Sequence, residues 1–500
     1  MGGSGRLGRV ASAAVVVVLA VAGGQMVAAS ARADATPTTI AVDRTRPFGE
    51  LPADFVGLSY EMRELATLCT TGVCPGNFDA RQGNLVALYR NLGRGNVRIG
   101  GNQLDRDTLW VPAGQQPPNP LPAWTADVVT PADIARLNGL LRATGWKAEV
   151  GINLAHYDPA LATDEAHALF SILGPRLSGA ACGNEPNHYA GNYRPAPYGF
   201  AEHKVDWEAC AAVVGSTRIA APDLSQPTGT ADWFSQFAQA EHSKINMLTA
   251  HNYTGATTIT QLLSPQIHTK EVNDIAPQIV AAKSVNVPIR LDETNSAVGG
   301  GIAGVSDVYA SALWAMDYNL VLAQAGLNGV NFHGGFGVCG APLFNGKFQR
   351  YTPICAANDA DMRAKIYTVA PEYYGLYMAT RMGTGRFLPV TVSSDHNITA
   401  YAVRGHDGHL RIAVIEKDET AGAPVPVNIA VPGARGGASV LHLTGTSLAS
   451  TAGVAVQGAT IDGDGHLNPS RGDRVRVSHE TVSLNLATGS AVIITLDHSD

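Results

Sequence analysis

Charge is scarce in this chain of 500 residues: Asp, Glu, Lys and Arg make up 15% of it, and the formal balance is −7. Without a basic excess, neither nucleic acid nor an anionic membrane surface is expected as the main partner. Beyond the N-terminal apolar run, no stretch stays apolar for the ~20 residues that a membrane span needs. Cysteine is limited to six, the first of them Cys69. No C-x-x-C pair or histidine cluster accompanies them, so zinc, the rival to disulfides, lacks its usual ligand spacing and no metal is expected. The one G-x-G-x-x-G, "GFGVCG" at 335–340, opens no helix and contains a cysteine, which discounts it as a dinucleotide motif.

What is present begins with Arg6 and Arg9 ahead of "VASAAVVVVLAVAGG" and the small-residue "AASARADA". A charged start, an apolar middle and an A-x-A end mark a secretory signal peptide over residues 1–33, with cleavage expected after Ala31 or Ala33. The apolar run is short for a membrane anchor, and Arg6 and Arg9 are not adjacent as a twin-arginine signal requires. The mature protein is expected to be secreted and extracellular. In that setting six cysteines suggest disulfides, and spacing favours Cys69–Cys74, Cys182–Cys210 and Cys339–Cys355.

From residue 55 to about 382, short β-rich segments alternate with helix-period ones. The strands are "FVGLSY", "NVRIGG", "KAEVGINL", "RLSGAACGN", "TRIAAPDL", "INMLTAHNY", "VPIRLDE" and "GVNFHGG". Between them lie "DARQGNLVALYRNLG", "TPADIARLNGLLRATG", "TDEAHALFSILG" and "SDVYASALWAMDYNLVLAQAG", two of which open on capping residues, Thr130 and Ser306. Eight such units favour a (β/α)8 TIM barrel over the alternative, an open doubly wound sheet. After residue 382 the pattern changes to alternating segments between Gly, Asp and Pro turns, from "NITAYAVRG" to "SAVIITLDH", which reads as an antiparallel β-sandwich. The expected division is residues 1–33 signal, 34–382 barrel and 383–500 sandwich, with 36–46 ("TTIAVD") a candidate extra sandwich strand.

A barrel of this kind builds its site at the C-terminal ends of the strands. Those ends carry Tyr60 and Glu61; Asn102, Gln103 and Asp105; Asn153, His156 and Tyr157; Asn184 and Glu185; His251, Asn252 and Tyr253; Asp292, Glu293 and Asn295; and Asn331 and His333. Nearly every end offers groups that hydrogen-bond sugars, and the fourth and seventh offer glutamate. Two opposed carboxylates are what glycosidic cleavage needs, one to protonate the leaving oxygen and one to attack the anomeric carbon. Asn184 is placed to donate to a hydroxyl beside the reacting carbon. Pro186 biases Glu185 towards extended backbone.

"CGNEPN" and "LDETNS" resemble the acid/base and nucleophile strands of the large clan of retaining (β/α)8 glycosidases. Together with "GLSYE", "RIGGNQ", "NFHGG" and "YTPI", they more narrowly resemble glycoside hydrolase family 79, which holds β-glucuronidases and heparanase and pairs the barrel with a C-terminal sandwich. The resemblance implies Glu185 as general acid/base, Glu293 as nucleophile and Tyr253 as a hydrogen-bond donor to that nucleophile. It puts Glu61, Asn102 and Asp105 on hydroxyls of the terminal sugar. The loop from Gly334 to Tyr351 is expected to hold the glucuronate carboxylate through backbone amides such as that of Gly335 and through Tyr351, with Arg350 as an alternative. An insertion carrying Cys339 and Cys355 departs from simpler relatives there.

The implied activity is an exo-acting β-glucuronidase that works by double displacement on β-glucuronide-containing carbohydrate and needs no cofactor. Another barrel-plus-sandwich glycosidase of glucuronoxylanase-like, β-glucosidase or arabinofuranosidase type is the alternative, and an inactive carbohydrate-binding protein is a further one. His156, His251 and His333 lie near the mouth without metal spacing and are read as orienting, sugar-binding or structural. The sequence carries no signature of oligomeric state.

Overall fold

The eight apolar segments close into a barrel because each is buried on both faces, as parallel strands wrapped by helices must be. The computed structural model describes Gly2 and residues 37–70, 74–225, 227–341, 349–420 and 422–499. The expected signal peptide, Gly2 apart, lies outside the described residues. The barrel strands are β1 (Val56–Glu61), β2 (Asn96–Gly100), β3 (Lys147–Ile152), β4 (Leu177–Cys182), β5 (Ile219–Leu224), β6 (Met247–Tyr253), β7 (Ile289–Asn295) and β8 (Gly329–Gly334). Each pairs in parallel with its sequence neighbours, and β8 pairs with β1 to close the ring. All residues of β2, β5, β7 and β8 are buried.

Local chemistry sets the helix ends. Thr130 and Asp133 form a capping box at the start of Pro131–Thr144. Asp158 caps Pro159–Leu173 by accepting from the amides of Ala160 and Leu161. Ser306, expected as a cap, is not one. The helix begins at Tyr309, and Ser306 Oγ instead accepts from the Ile302 amide and the Ser296 hydroxyl. The first barrel helix is shorter than its sequence pattern, Leu85–Asn91, because the Asp79 carboxylate captures the Arg81 amide in a local turn.

The C-terminal strands form one curled, mostly antiparallel sheet around a second apolar core that includes Ile412, Val427, Val440 and Ile494. Thr38–Val42 belongs to it, pairing in parallel with Val425–Ala430 and antiparallel with Val390–Ser393. Phe48–Leu51, which the sequence pattern does not single out, adds at the other edge against Gly385–Leu388.

The helix Tyr309–Ala325 joins the two layers. Every residue from Tyr309 to Ala323 is buried, which explains its apolar character on all sides. It packs on Pro371–Arg381 so closely that a Cβ on Gly375 would lie 2.0 Å from the Ala312 carbonyl oxygen. Its one buried acid, Asp317, accepts from Lys417 Nζ at 2.5 Å, Thr399 Oγ1 at 2.8 Å and Tyr401 at 2.5 Å, all from the sandwich.

Candidate active site

Arginine inside an apolar strand is the first anomaly of the barrel interior. Arg98, on β2 and 1% exposed, donates through Nη1 to Glu293 Oε2 at 2.8 Å. Its Nη2 reaches Asn184 Oδ1 at 2.6 Å and Asp223 Oδ2 at 2.7 Å. Gly100 makes room for it, since a Cβ there would lie 2.8 Å from the Arg98 Cζ. One guanidinium thus ties together the ends of β4, β5 and β7.

Glu293 accepts a second hydrogen bond, from the Tyr253 hydroxyl to Oε1 at 2.7 Å. Burial pushes its carboxyl up, but the charges of His333, His251 and Arg98 and the Tyr253 bond outweigh this and hold it at about 2. His333 is itself pushed below the ordinary histidine range by burial. His333 Nδ1 is bonded to Ser59 Oγ at 3.1 Å and lies 3.7 Å from Glu293 Oε2.

Glu185 corrects the backbone expectation. It is not extended: φ and ψ are 48° and 54°, left-handed, at the start of the single turn Pro186–His188. Pro186 occupies the first position of that turn, where its missing N–H costs nothing. The Glu185 amide donates to the Asp223 carbonyl at 3.0 Å, and Oε1 lies 2.9 Å from His251 Nδ1. One oxygen each of Glu185 and Glu293 and a nitrogen of His251 lie within 4.8 Å of one another.

The other residues expected in the site divide. Glu61 Oε2 accepts from the Gln103 amide at 2.8 Å, and Oε1 lies 3.9 Å from His333 Nε2. Burial and then the charge of Glu293 push its carboxyl up to about 8, so it is a neutral donor near neutrality. Asn102 Oδ1 accepts from Asn184 Nδ2 at 3.2 Å at the rim. Asp105 is not available to a sugar. It is buried, and its oxygens accept from the amides of Leu154, Ala155 and Asn184 and from the Tyr189 hydroxyl, so it fixes the end of β4. Asn331 lies away from the mouth, where it binds Arg290 and Asn96. His156 stacks on Trp124 at 4.1 Å, and no contact joins it to the glutamates among the described residues.

The carboxylate loop also needs correction. The Gly335 amide donates to Thr352 Oγ1 at 3.1 Å and is not free for a ligand. Arg350 Nη1 is paired with Asp307 at 3.1 Å. Tyr351 does reach the site: its ring is 6.0 Å from that of Tyr253 and 6.3 Å from His333. Against it lies a turn that sequence reading passed over, Gly299, Gly300 and Gly301, with φ of 70°, 99° and 87°. A Cβ on Gly301 would lie 3.1 Å from Tyr351 Cδ1. The signal was the glycine run directly after the β7 glutamate. All six cysteines are paired as Cys69–Cys74, Cys182–Cys210 and Cys339–Cys355. Residues 342–348 of the last loop are outside the described residues.

No family model matches the chain. Over 279 residues it is 27% identical to a curated β-glucuronidase from Aspergillus niger, taking in 49% of this chain and 48% of that protein. A curated β-glucuronidase from Neurospora crassa is 26% identical over 299 residues, 49% of each. The chain therefore spans about half the length of the curated relatives it matches. Among solved structures, a 4-O-α-L-rhamnosyl-β-D-glucuronidase from Fusarium oxysporum 12S superposes with a TM-score of 0.75 at 20% identity, over 92% of this chain and 100% of its own. A GH51 arabinofuranosidase from Xanthomonas axonopodis pv. citri gives 0.67 at 15% identity over 92% and 100%. At these identities the likeness is one of fold, a TIM barrel followed by a β-sandwich, as glycoside hydrolases build it.

Proposed function

We propose that the protein is a secreted retaining glycoside hydrolase of the family 79 type that removes glucuronic acid from β-glucuronides. Its barrel, 34–382, would carry the chemistry and 383–500 the sandwich. The approach of Glu185 and Glu293 oxygens to within 4.8 Å carries this reading. Retaining glycosidases hold their carboxyl groups ~5–5.5 Å apart, whereas inverting enzymes need ~6.5–9.5 Å to admit a water. Glu293, ionised above about 2, is the nucleophile that attacks the anomeric carbon. Glu185 gives its proton to the leaving oxygen, then takes one from water in the second step.

The two β-glucuronidase relatives support glucuronate as the sugar. Glu61, raised to about 8 by burial and the charge of Glu293, adds no second negative charge beside the sugar near neutrality. The sugar carboxylate is assigned to the Tyr351 hydroxyl and the amides of the Gly299–Gly301 turn, since the Gly335 amide and Arg350 are engaged within the protein. Three disulfides fit an oxidising compartment. No helix among the described residues is long and apolar enough to cross a membrane.

A panel of 4-nitrophenyl glycosides tests the sugar: β-glucuronide is expected to be cleaved ahead of β-glucoside, β-xyloside and α-arabinofuranoside, and preference for arabinofuranoside would overturn the assignment. Proton NMR of the first-formed sugar should show the β-anomer. Glu293→Gln should abolish turnover. Glu185→Gln should lower it by roughly 10²–10⁴ on poor leaving groups and least on activated ones.

A further inference from the structure

His251 touches the acid/base glutamate on one side and buried acids on the other. Its Nδ1 lies 2.9 Å from Glu185 Oε1. Its Nε2 lies 3.7 Å from Asp292 Oδ2, 3.9 Å from Asp223 Oδ2 and 3.4 Å from Arg98 Nη2. Asp292 is wholly buried, and neither of its carboxylate oxygens has a hydrogen-bond partner among the described residues. An ionised carboxylate so placed needs a compensating cation. Two are near, Arg98 Nε at 3.7 Å and His251 Nε2 at 3.7 Å. The Nη atoms of Arg98 already serve Glu293, Asn184 and Asp223, so its Nε and the His251 ring face Asp292 from equal distance.

We propose that Asp292, with Asp223 beside it, is a positioning residue that keeps His251 doubly protonated, so that one imidazolium serves both glutamates of the cycle. The role deepens the glycosidase reading and rests on it.

Facing or flanking His251 are Arg98 from β2, Glu185 after β4, Asp223 from β5, Asp292 and Glu293 from β7, and His333 from β8; Glu149 on β3 interacts with the two aspartates. Burial and the charge of Asp292 push Asp223 well up. Burial and both aspartates do the same to Glu149. Burial also lifts Asp292, but the neighbouring Asp223 and the charges of His251 and Arg98 bring it below the ordinary range. Burial lowers His251, and the charges of Glu293 and Asp292 with its hydrogen bond to Glu185 overcome that and raise it. Arg98 and His251 are the basic groups that face the lowered carboxyls, Arg98 at 2.8 Å from Glu293 and both at 3.7 Å from Asp292. Arg98, 2.7 Å from Asp223, repels a metal ion from the Asp223–His251–Asp292 trio.

The imidazolium matters when charge moves. In the first step a Glu293 oxygen bonds to the anomeric carbon, the bond to the leaving oxygen breaks, and that oxygen takes the Glu185 proton. The negative charge passes from Glu293 to Glu185, one neighbour of His251 to the other. An imidazolium balances it in both places without itself losing a proton.

Long-range ¹H–¹⁵N spectra of histidine-labelled protein test this without substrate, so failure here and failure of the hydrolase reading are distinguishable. His251 is assigned by the signal lost in His251→Gln. In the wild type both ring nitrogens should be protonated at pH 7; a neutral His251 there overturns the proposal. In Asp292→Asn the ring should titrate at least about one pH unit lower, the scale of losing one charged neighbour. The same variant should lower kcat about tenfold with KM within about twofold, and Asp292→Glu should restore the rate. Unchanged titration in Asp292→Asn overturns the proposal whatever happens to activity. If that variant does not fold, the wild-type spectrum decides alone, and a singly protonated His251 ring at pH 7 overturns the proposal.

Discussion

Tyr253→Phe removes a single hydroxyl from the wall of the nucleophile. The ring remains, Arg98 still holds Glu293 Oε2 at 2.8 Å, and only the donor 2.7 Å from Oε1 is lost. A hydrogen bond to a charged acceptor contributes ~1.5–3 kcal/mol, and about 1.4 kcal/mol corresponds to one pKa unit. Burial raises Glu293, and the positive charges with this bond bring it to about 2. The bond favours the ionised form, so its loss raises the pKa, to roughly 3–4. The acid limb of kcat/KM against pH, measured on 4-nitrophenyl β-glucuronide, should therefore move up by roughly one to two pH units. The alkaline limb, which reports the acid/base group, should stay within about half a unit. An acid limb that does not move, with an equal loss of rate at every pH, would mean that Tyr253 only packs against the site.

Two further variants probe the frame around the pair. Gly100→Ala puts a Cβ 2.8 Å from the Arg98 Cζ, so the guanidinium must shift; kcat should fall roughly tenfold or more while the melting temperature changes little, and an unaltered rate would exclude Arg98 as the brace of Glu293. Lys417→Met takes the charged partner from Asp317, whose carboxyl is lifted by burial but held well below the aspartate range by Lys417 and His268. Breaking such a pair costs ~3–5 kcal/mol. Because the folded pKa is depressed, the stabilisation is full above the unfolded aspartate value of ~3.9 and is lost as pH falls below it. Calorimetry should show a lower melting temperature at pH 7 and a narrowing deficit below pH ~4, and equal melting at pH 7 would refute the lock.

The barrel was legible because burial on both faces leaves no polar alternation, and all eight of its strands can be read from apolar runs such as "NVRIGG" and "VPIRLDE". The two glutamates stood out through the stretches that carry them, "CGNEPN" and "LDETNS", at the ends of the fourth and seventh strands. Contacts made across the barrel were not legible. Arg98 reads as one charge in an apolar run, and only closure brings it to Asn184, Asp223 and Glu293. Asp105 read as a mouth residue by position, yet local amides consume it, which depends on how β3 and β4 end. Ser306 carried the residue type of a cap without the geometry, because its hydroxyl had a nearer use in the turn it closes.

The strand Thr38–Val42 pairs with Val425–Ala430 and Val390–Ser393, which lie beyond the whole barrel in sequence. Synthesised early, it must wait unpaired until those partners exist, since non-local pairing comes only after long loops close. Its alternation of buried and exposed residues makes it an exposed sticky edge in the interval. The barrel strands pair with their sequence neighbours, apart from β8 with β1, whereas the sandwich sheet needs segments from both sides of the barrel. A chain cut after residue 382 would leave both this strand and Phe48–Leu51 without partners. Expression of the barrel alone would then fail through aggregation at its leading segment, even with every catalytic residue present.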